Sequence, residues 1–313
     1  MSPRVEHGHF PVMSDEVVSY LLSPKDGLYL DCTFGAGGHS RQLLSKISSQ
    51  SKLIGLDIDA VAVEIGKKLE QEDDRFSMVR LNFARLSDYQ KEHNLPKAKG
   101  IIFDLGTSMM QLRDPNRGFS YLEDAHLDMR MDQTSKTTAA DILNYGTRMQ
   151  LKEIFRKYGD IHNSDRLINL ISDHRKKYSC IETTLEFRDL IEEAHKKLDP
   201  VKLRKEISRT FQAIRIAVND EIKSFETAMN SLHEVLEVGG IACIITFHSG
   251  EEDVLKVWKS KYCDHIEIRD YSKNIVNKFR FVSNGYIVPK AEEISENRSS
   301  RSSKLWVFQK VRD

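Results

Sequence analysis

The chain has 313 residues with 40% hydrophobic and 30% charged content, an ordinary mix for a folded protein with a sizeable core. Lys+Arg and Asp+Glu both number 47, which excludes a globally polybasic nucleic-acid binder and leaves only a local patch for any polyanion. Four widely spaced cysteines with no C-x-x-C pair argue against a zinc site or a disulfide framework and fit a reducing compartment; no apolar run reaches membrane-spanning length, and no signal peptide is visible.

Ser14-Asp15-Glu16 reads as the start of a helix with Val17, Val18, Leu21 and Leu22 at helical spacing. Residues 28–32 are then predicted as a strand, 39–47 as a helix, 53–57 as a strand, 59–69 as a helix, and 76–81 and 100–105 as strands. Alternating strands and helices with carboxylates at strand ends imply a parallel doubly wound α/β sheet. Ligands of such sheets bind beyond the carboxyl ends of the strands, so Asp31, Asp57, Phe83 and Asp104 are expected on one rim.

The first strand runs into Asp31-Cys32-Thr33-Phe34-Gly35-Ala36-Gly37-Gly38-His39-Ser40. Gly35, Gly37 and Gly38 can take positive φ and let a ligand approach the backbone. An acid at the next strand tip, Asp57, is placed to accept ribose hydroxyls. This logic serves a dinucleotide and S-adenosylmethionine alike. The dinucleotide fingerprint needs a third glycine at position 40, which is Ser40, and it has no need of the acid at Asp31. An acid before the turn suits a cationic ligand, so the stretch favours the methyl donor.

Residues 106–132 do not fit a plain crossover. Their Phe, Met and Arg content argues against disorder and for an active-site loop. From 138 to about 204 the periodicity is helical throughout, which reads as an insertion whose cations are available to phosphates. A single long helix is expected over 208–238, ended by Gly239-Gly240, and a strand over 241–247 delivers His248-Ser249 to the rim. A helix over 251–261 and strands over 266–268, 281–288 and 304–309 give the sheet an antiparallel end. The basic run Asn297 to Lys304 between the last two strands reads as a phosphate clamp carrying Arg298, Arg301 and Lys304. The expected domains are 1–133 and 208–313, forming one catalytic unit, with 134–207 inserted as a helical substrate-recognition domain.

Several separated motifs match one family. They are His9-Phe10-Pro11-Val12-Met13, the 31–40 turn, Asp104-Leu105-Gly106, Gln111-Leu112, Arg117-Gly118-Phe119-Ser120, Leu127-Asp128-Met129-Arg130-Met131-Asp132, Arg209 to Ile216, Asn219-Asp220-Glu221, Phe247-His248-Ser249, and Ser302 with Lys304-Leu305. Together they resemble the MraW/RsmH family of small-subunit rRNA cytosine-N4 methyltransferases over nearly the whole chain. The resemblance implies a Rossmann-like class I methyltransferase sheet with an inserted all-helical domain. It also implies S-adenosylmethionine held by Gly37, Gly38, His39, Asp57, Phe83, Asp104 and Gln111, and small-subunit rRNA or an assembling small subunit as partner. Where the family has Leu-Glu-Asp-Arg after Phe-His-Ser, this chain has Gly250-Glu251-Glu252-Asp253, and Lys205-Glu206 stand where the family has His-Pro. These departures point to a divergent mitochondrial-matrix member rather than a cytoplasmic bacterial one.

Transfer to a cytosine amine needs no metal and no covalent nucleophile, but it does need an acceptor for an amine hydrogen. Asp104, the loop Ser108 and His248 are the candidates. Arg117, Phe119 and Arg130 are expected to hold flanking RNA by stacking and phosphate contact. The competing readings are methylation of another RNA or DNA base, and a ribosome-assembly RNA-binding protein that keeps the fold; the oligomeric state, monomer or homodimer, is open.

Overall fold

The structure is a computed structural model that describes residues 11–263, 266–269, 272–275, 277–283 and 285–313, so His9 and Phe10 of the N-terminal motif lie outside the described residues. The chain forms two compact units, Met1–Gly106 with Ile222–Asp313, and Thr107–Glu221. The loop 107–133 and the helix over 208–219 therefore group with the helical insertion, and the division falls at 106/107 and 221/222 instead of 133/134 and 207/208. The cause is shared packing: Phe119, Leu127, Met129, Phe211 and Ile214 are buried in the same core as the inserted helices.

The first unit opens with α1 (Ser14–Leu21), β1 (Leu28–Asp31), α2 (Gly38–Leu44), β2 (Lys52–Asp57), α3 (Ala60–Glu72), β3 (Phe76–Arg80), α4 (Leu86–Glu92) and β4 (Ala98–Asp104). Asp59 caps α3 by accepting from the Val61 N–H at 3.0 Å. The second unit holds α5 (Met109–Arg113), α6 (Ala139–Tyr145), α7 (Arg148–Gly159), α8 (Asp165–Tyr178), α9 (Thr184–Ala194) and α10 (Pro200–Asn219). Reciprocal capping boxes at Thr138, Thr147 and Thr183 start α6, α7 and α9, and Asp199 followed by Pro200 starts α10. The first unit resumes at Ile222, the second residue of α11 (Glu221–Val235), and goes on with β5 (Leu236–Thr246), α12 (Ser249–Tyr262), β6 (Ile266–Arg269), β7 (Ser272–Ile275), β8 (Phe279–Phe281), α13 (Ala291–Glu296) and β9 (Lys304–Lys310).

Seven strands form one sheet in the order β3-β2-β1-β4-β5-β9-β8. β3 to β5 are parallel, and β9 pairs antiparallel with β5 and β8. This is the expected Rossmann-like doubly wound sheet with an antiparallel end. The strand order reverses between β1 and β4, which opens a crevice at their carboxyl ends. Ile101, Phe103, Ile244 and Phe308 are fully buried, as expected of strands covered on both faces.

Three expectations need correction. The helix predicted over 208–238 is two helices, because Asp220 adopts a left-handed conformation (φ 50°). The apolar period runs through Val218 and Ile222 and carries no trace of the break. Gly239-Gly240 lies inside β5, at a register irregularity where Gly239 takes φ 90°, so the glycines make a bulge instead of ending a helix. The strand at 266–268 pairs with β7 in a separate two-stranded ribbon, and β8 is short, with Ile287 adding one isolated bridge to Leu305.

Candidate functional site

At the β1 end, the Asp31 carboxylate is buried and turned inward. It accepts from Ser40 Oγ at 2.7 Å and from the Thr33 N–H at 3.3 Å. Burial pushes its pKa up, against the pull of His39, Ser40 and Thr33. The expectation that Asp31 faces a cationic ligand is therefore corrected: it braces the turn. The glycines shape the same turn. Gly37 has φ 78°, and a Cβ there would meet the Phe34 ring at 2.6 Å. Gly35 donates its N–H to Asp57 Oδ2 at 2.9 Å, and Gly38 packs beside Pro11.

Asp57 ends β2 with both oxygens anchored, Oδ2 by Gly35 and Oδ1 by the Asp59 N–H at 2.9 Å. Burial raises its pKa to about 6, and those two N–H groups limit the rise. Each oxygen keeps a further lone pair, which is what a pair of ribose hydroxyls needs. Phe83 follows β3 in a short 3-10 turn, half-buried and edge-on to Phe103 at 5.6 Å.

His39, one residue into α2, is buried, with Nε2 3.5 Å from Asp104 Oδ2. Burial works against its charged form, but the neighbouring carboxylates of Asp104, Asp31 and Glu293 outweigh that and hold its pKa up. Both ring nitrogens of His39 and Asp104 Oδ1 are buried and make no hydrogen bond among the described residues. Unsatisfied buried polar atoms are costly, so this trio is primed for a polar ligand. The Asp104 N–H donates to Thr33 Oγ1 at 2.6 Å, which ties the β4 tip to the β1 turn.

On the neighbouring tip, His248 Nε2 lies 3.1 Å from Glu251 Oε1, while Glu251 Oε2 accepts the Phe247 and His248 N–H groups. Glu251 thus locks the start of α12, and Gly250-Glu251-Glu252-Asp253 retains the acid that does so. Asp253 is an exposed partner of Lys256. Sequence reading missed Glu251 and also Glu293, whose Oε1 accepts the Met13 N–H at 2.9 Å and whose charge reaches His39. Thr33 and Ser40 were missed as supports because hydroxyls in a glycine turn look like filler.

In the second unit, Ser108 and Gln111 form a reciprocal capping box on α5, with Gln111 N–H to Ser108 Oγ at 3.3 Å and Ser108 N–H to Gln111 Oε1 at 3.0 Å. Arg117 is buried and donates to the carbonyls of Arg130 and Met131 at 2.8 and 3.1 Å, and Phe119 is buried within the helical core. Arg130 forms a bidentate pair with Asp128 and also reaches the Ser135 carbonyl. The expectation that Arg117 and Phe119 hold RNA is corrected: both are consumed by folding the 117–135 loop, which Asn219 pins through Met129 O and Met131 N. Arg298 and Arg301 are exposed on a 3-10 turn of the first unit, whereas Lys304 is half-buried and paired with Glu252 at 2.7 Å. Cys32 and Cys243 are buried, and burial pushes both thiols up, so they are inert core groups.

A family model described as the MraW methylase family matches residues 6–311. The protein named ribosomal RNA small subunit methyltransferase H of Caldicellulosiruptor saccharolyticus is 38% identical over 307 residues, covering 97% of this chain and 99% of that one. The proteins of the same name from Thermosipho africanus and Ureaplasma urealyticum are each 38% identical as well, covering 98% and 95% of this chain and 99% and 96% of their own lengths.

Proposed function

The chain belongs to the MraW methylase family, and from that premise we propose that it moves a methyl group from S-adenosylmethionine to the exocyclic N4 of a cytidine in small-subunit ribosomal RNA. The observation that carries this reading is the rim of the sheet. Asp57 presents an anchored carboxylate at the β2 tip, while Asp104 Oδ1 and both His39 nitrogens are buried without a hydrogen bond among the described residues, His39 Nε2 facing Asp104 Oδ2 at 3.5 Å. A donor with a ribose and a cationic amino-acid end supplies groups for both places. Asp57, Phe83, His39 and Asp104 would hold it, and Gln111 is the further residue the family pattern assigns. The donor supplies an electrophilic methyl on a sulfonium.

The acceptor amine is a poor nucleophile because its lone pair is delocalised into the ring. Protein groups must hold it within about 3 Å of the methyl and in line with the breaking bond. A carboxylate that accepts one amine hydrogen localises the lone pair and stabilises the charge that develops on nitrogen. Asp104 is the carboxylate candidate at this rim, since each of its oxygens carries two lone pairs and holding the donor does not use them all. His248 lines the next tip and is held there by Glu251. Ser108 is the remaining candidate, since its capping role uses its oxygen as acceptor and leaves the O–H able to donate. The target base must be unstacked to be reached at all.

For RNA contact outside the pocket, Arg298 and Arg301 are the exposed cations this reading relies on. The substrate is free small-subunit rRNA or an assembling small subunit. The compartment follows the substrate: the mitochondrial matrix in a eukaryote, supported by the departures at Asp253 and Lys205-Glu206, or the cytoplasm in a bacterium.

The test is methyl transfer from labelled donor to bacterial and mitochondrial small-subunit rRNA, each free and in partly assembled subunits, followed by nucleoside mass spectrometry. N4-methylcytidine is the expected product, and the accepting RNA identifies the compartment. A different methylated nucleoside would replace the cytosine assignment, and donor binding with no product on any of these RNAs would overturn the reading. Light scattering of the same sample separates monomer from homodimer.

A further inference from the structure

One end of the helical unit is tied together by a cluster of side-chain-to-backbone hydrogen bonds. Arg175, in the last turn of α8, donates through Nε to the Leu143 carbonyl at 2.6 Å and through Nη1 to the Gly146 carbonyl at 3.0 Å. Asn144 and Ile181 exchange two hydrogen bonds, Nδ2 to O at 2.9 Å and N to Oδ1 at 2.8 Å. These ties lock the end of α6, the end of α8 and the turn before α9 against one another. Beside them lies a cavity of about 520 Å³ lined by His174, Tyr178, Ser179, Cys180, Glu182 and Glu186. That size suits a small ring system.

The lining has a defined chemistry. Tyr178 is 59% exposed, with its ring 4.9 Å from the His174 ring and the Lys177 ammonium 4.7 Å from its centroid. Ser179 takes φ 74°, a positive value that a serine rarely adopts. Glu186 is spent on capping α9, accepting the Glu182 and Thr183 N–H groups. Glu182 is exposed, and its carboxylate makes no hydrogen bond or ion pair among the described residues. A largely exposed aromatic ring, the exposed ammonium that lies over it and a free carboxylate correspond to the three parts of a nucleotide with an exocyclic amine: a ring to stack once the lysine swings to the phosphate, a phosphate and an N–H donor.

We propose that this cavity binds an unstacked, amine-bearing base of a single-stranded RNA segment, with the base on Tyr178, its amine on Glu182 and its phosphate on Lys177. The assignment rests on RNA being the substrate, and it adds a second RNA contact within the helical unit.

Fluorescence anisotropy of the full chain with short labelled oligo(A), oligo(C) and oligo(U) tests it. The wild type should prefer oligo(A) and oligo(C). Tyr178→Ala should weaken binding about tenfold, Tyr178→Trp should retain it, and Glu182→Ala should erase the preference over oligo(U). Both positions are exposed, and thermal melting of each variant checks that the fold is kept. In methylation assays on rRNA, Tyr178→Ala should raise KM with kcat unchanged. Equal affinity of wild type and Tyr178→Ala, with methylation intact, would overturn this inference and leave the methyltransferase reading standing. Tyr178-dependent binding without methylation of any RNA would sustain the inference and count against that reading. No binding of any oligomer by the wild type would also overturn it.

Discussion

Ser40 Oγ and Asp31 Oδ2 lie 2.7 Å apart in the floor of the glycine turn, and both residues are buried. The serine at the position where a dinucleotide fingerprint has glycine is thus the donor that satisfies a buried carboxylate. Removing a partner from a buried charged acceptor costs about 1–3 kcal/mol or more. Ser40→Ala should lower unfolding free energy by about that amount in urea denaturation, and Ser40→Gly by somewhat more. Unchanged stability would mean that Asp31 is satisfied without Ser40.

Asp57 gives the donor site a pH dependence. Its pKa rises from an ordinary 3.8 to about 6 in the folded chain, chiefly through burial. A raised pKa makes this group's contribution to stability complete below pH 3.8 and progressively lost as pH climbs through about 6. Donor affinity should move the opposite way, because the ionised carboxylate is the better acceptor for ribose hydroxyls. Calorimetric affinity for S-adenosylmethionine should therefore rise between pH 5 and pH 7, within the window set by a value of about 6. Asp57→Ala should bind weakly and lose that step; a step that survives the substitution would assign it elsewhere.

Glu293 and Met13, 280 positions apart in the sequence, are joined by a hydrogen bond. Glu293→Ala removes a carboxylate acceptor from the Met13 N–H and should destabilise the first unit by about 1.5–3 kcal/mol. Glu293→Gln keeps an acceptor and should recover most of this. Hydrogen exchange at the Met13 amide reads the tie directly, and equal protection in all three proteins would rule it out.

Much of this was legible in the sequence where local pattern and tertiary role coincide. The strand-turn-helix of residues 28–44, the acid of Asp57 and the buried run of β4 announce themselves through spacing and residue type. The Asp220 break does not, because the apolar period of α10 continues into α11, and only a single backbone conformation separates them. Arg117-Gly118-Phe119 was misread for a related reason. Arginine and phenylalanine in a glycine-bearing loop have the composition of an RNA-contacting surface, and only the fold of 117–135 reveals that carbonyls consume the guanidinium. Glu293 sits in a polar, charged stretch whose partner is remote in sequence, so no local signal marks it.

Arg117 can be separated from an RNA role by substitution. Arg117→Lys keeps the charge but loses the planar fork that reaches the Arg130 and Met131 carbonyls. It should lower the stability of the helical unit by about 2 kcal/mol. The salt dependence of RNA binding by the folded fraction should be unchanged. A flattened salt dependence at full stability would restore Arg117 to the RNA-contacting set.

Arg298 and Arg301 make the opposite case. Both are exposed on the 3-10 turn before β9, so replacing them should leave folding within about 0.5 kcal/mol of wild type. If each neutralises one phosphate of single-stranded RNA, each contributes about 0.7 to the slope of log affinity against log salt. The double replacement by alanine should then reduce that slope by roughly 1.4 and weaken binding at low salt more than at high salt. Lys304, held by Glu252 and lying over the Tyr286 ring at 4.5 Å, should contribute less than either arginine. An unchanged slope in the double variant would show that phosphate contact lies elsewhere. Because both side chains are exposed, calorimetric donor affinity should stay at the wild-type value in the same protein, which separates lost RNA contact from a damaged donor site.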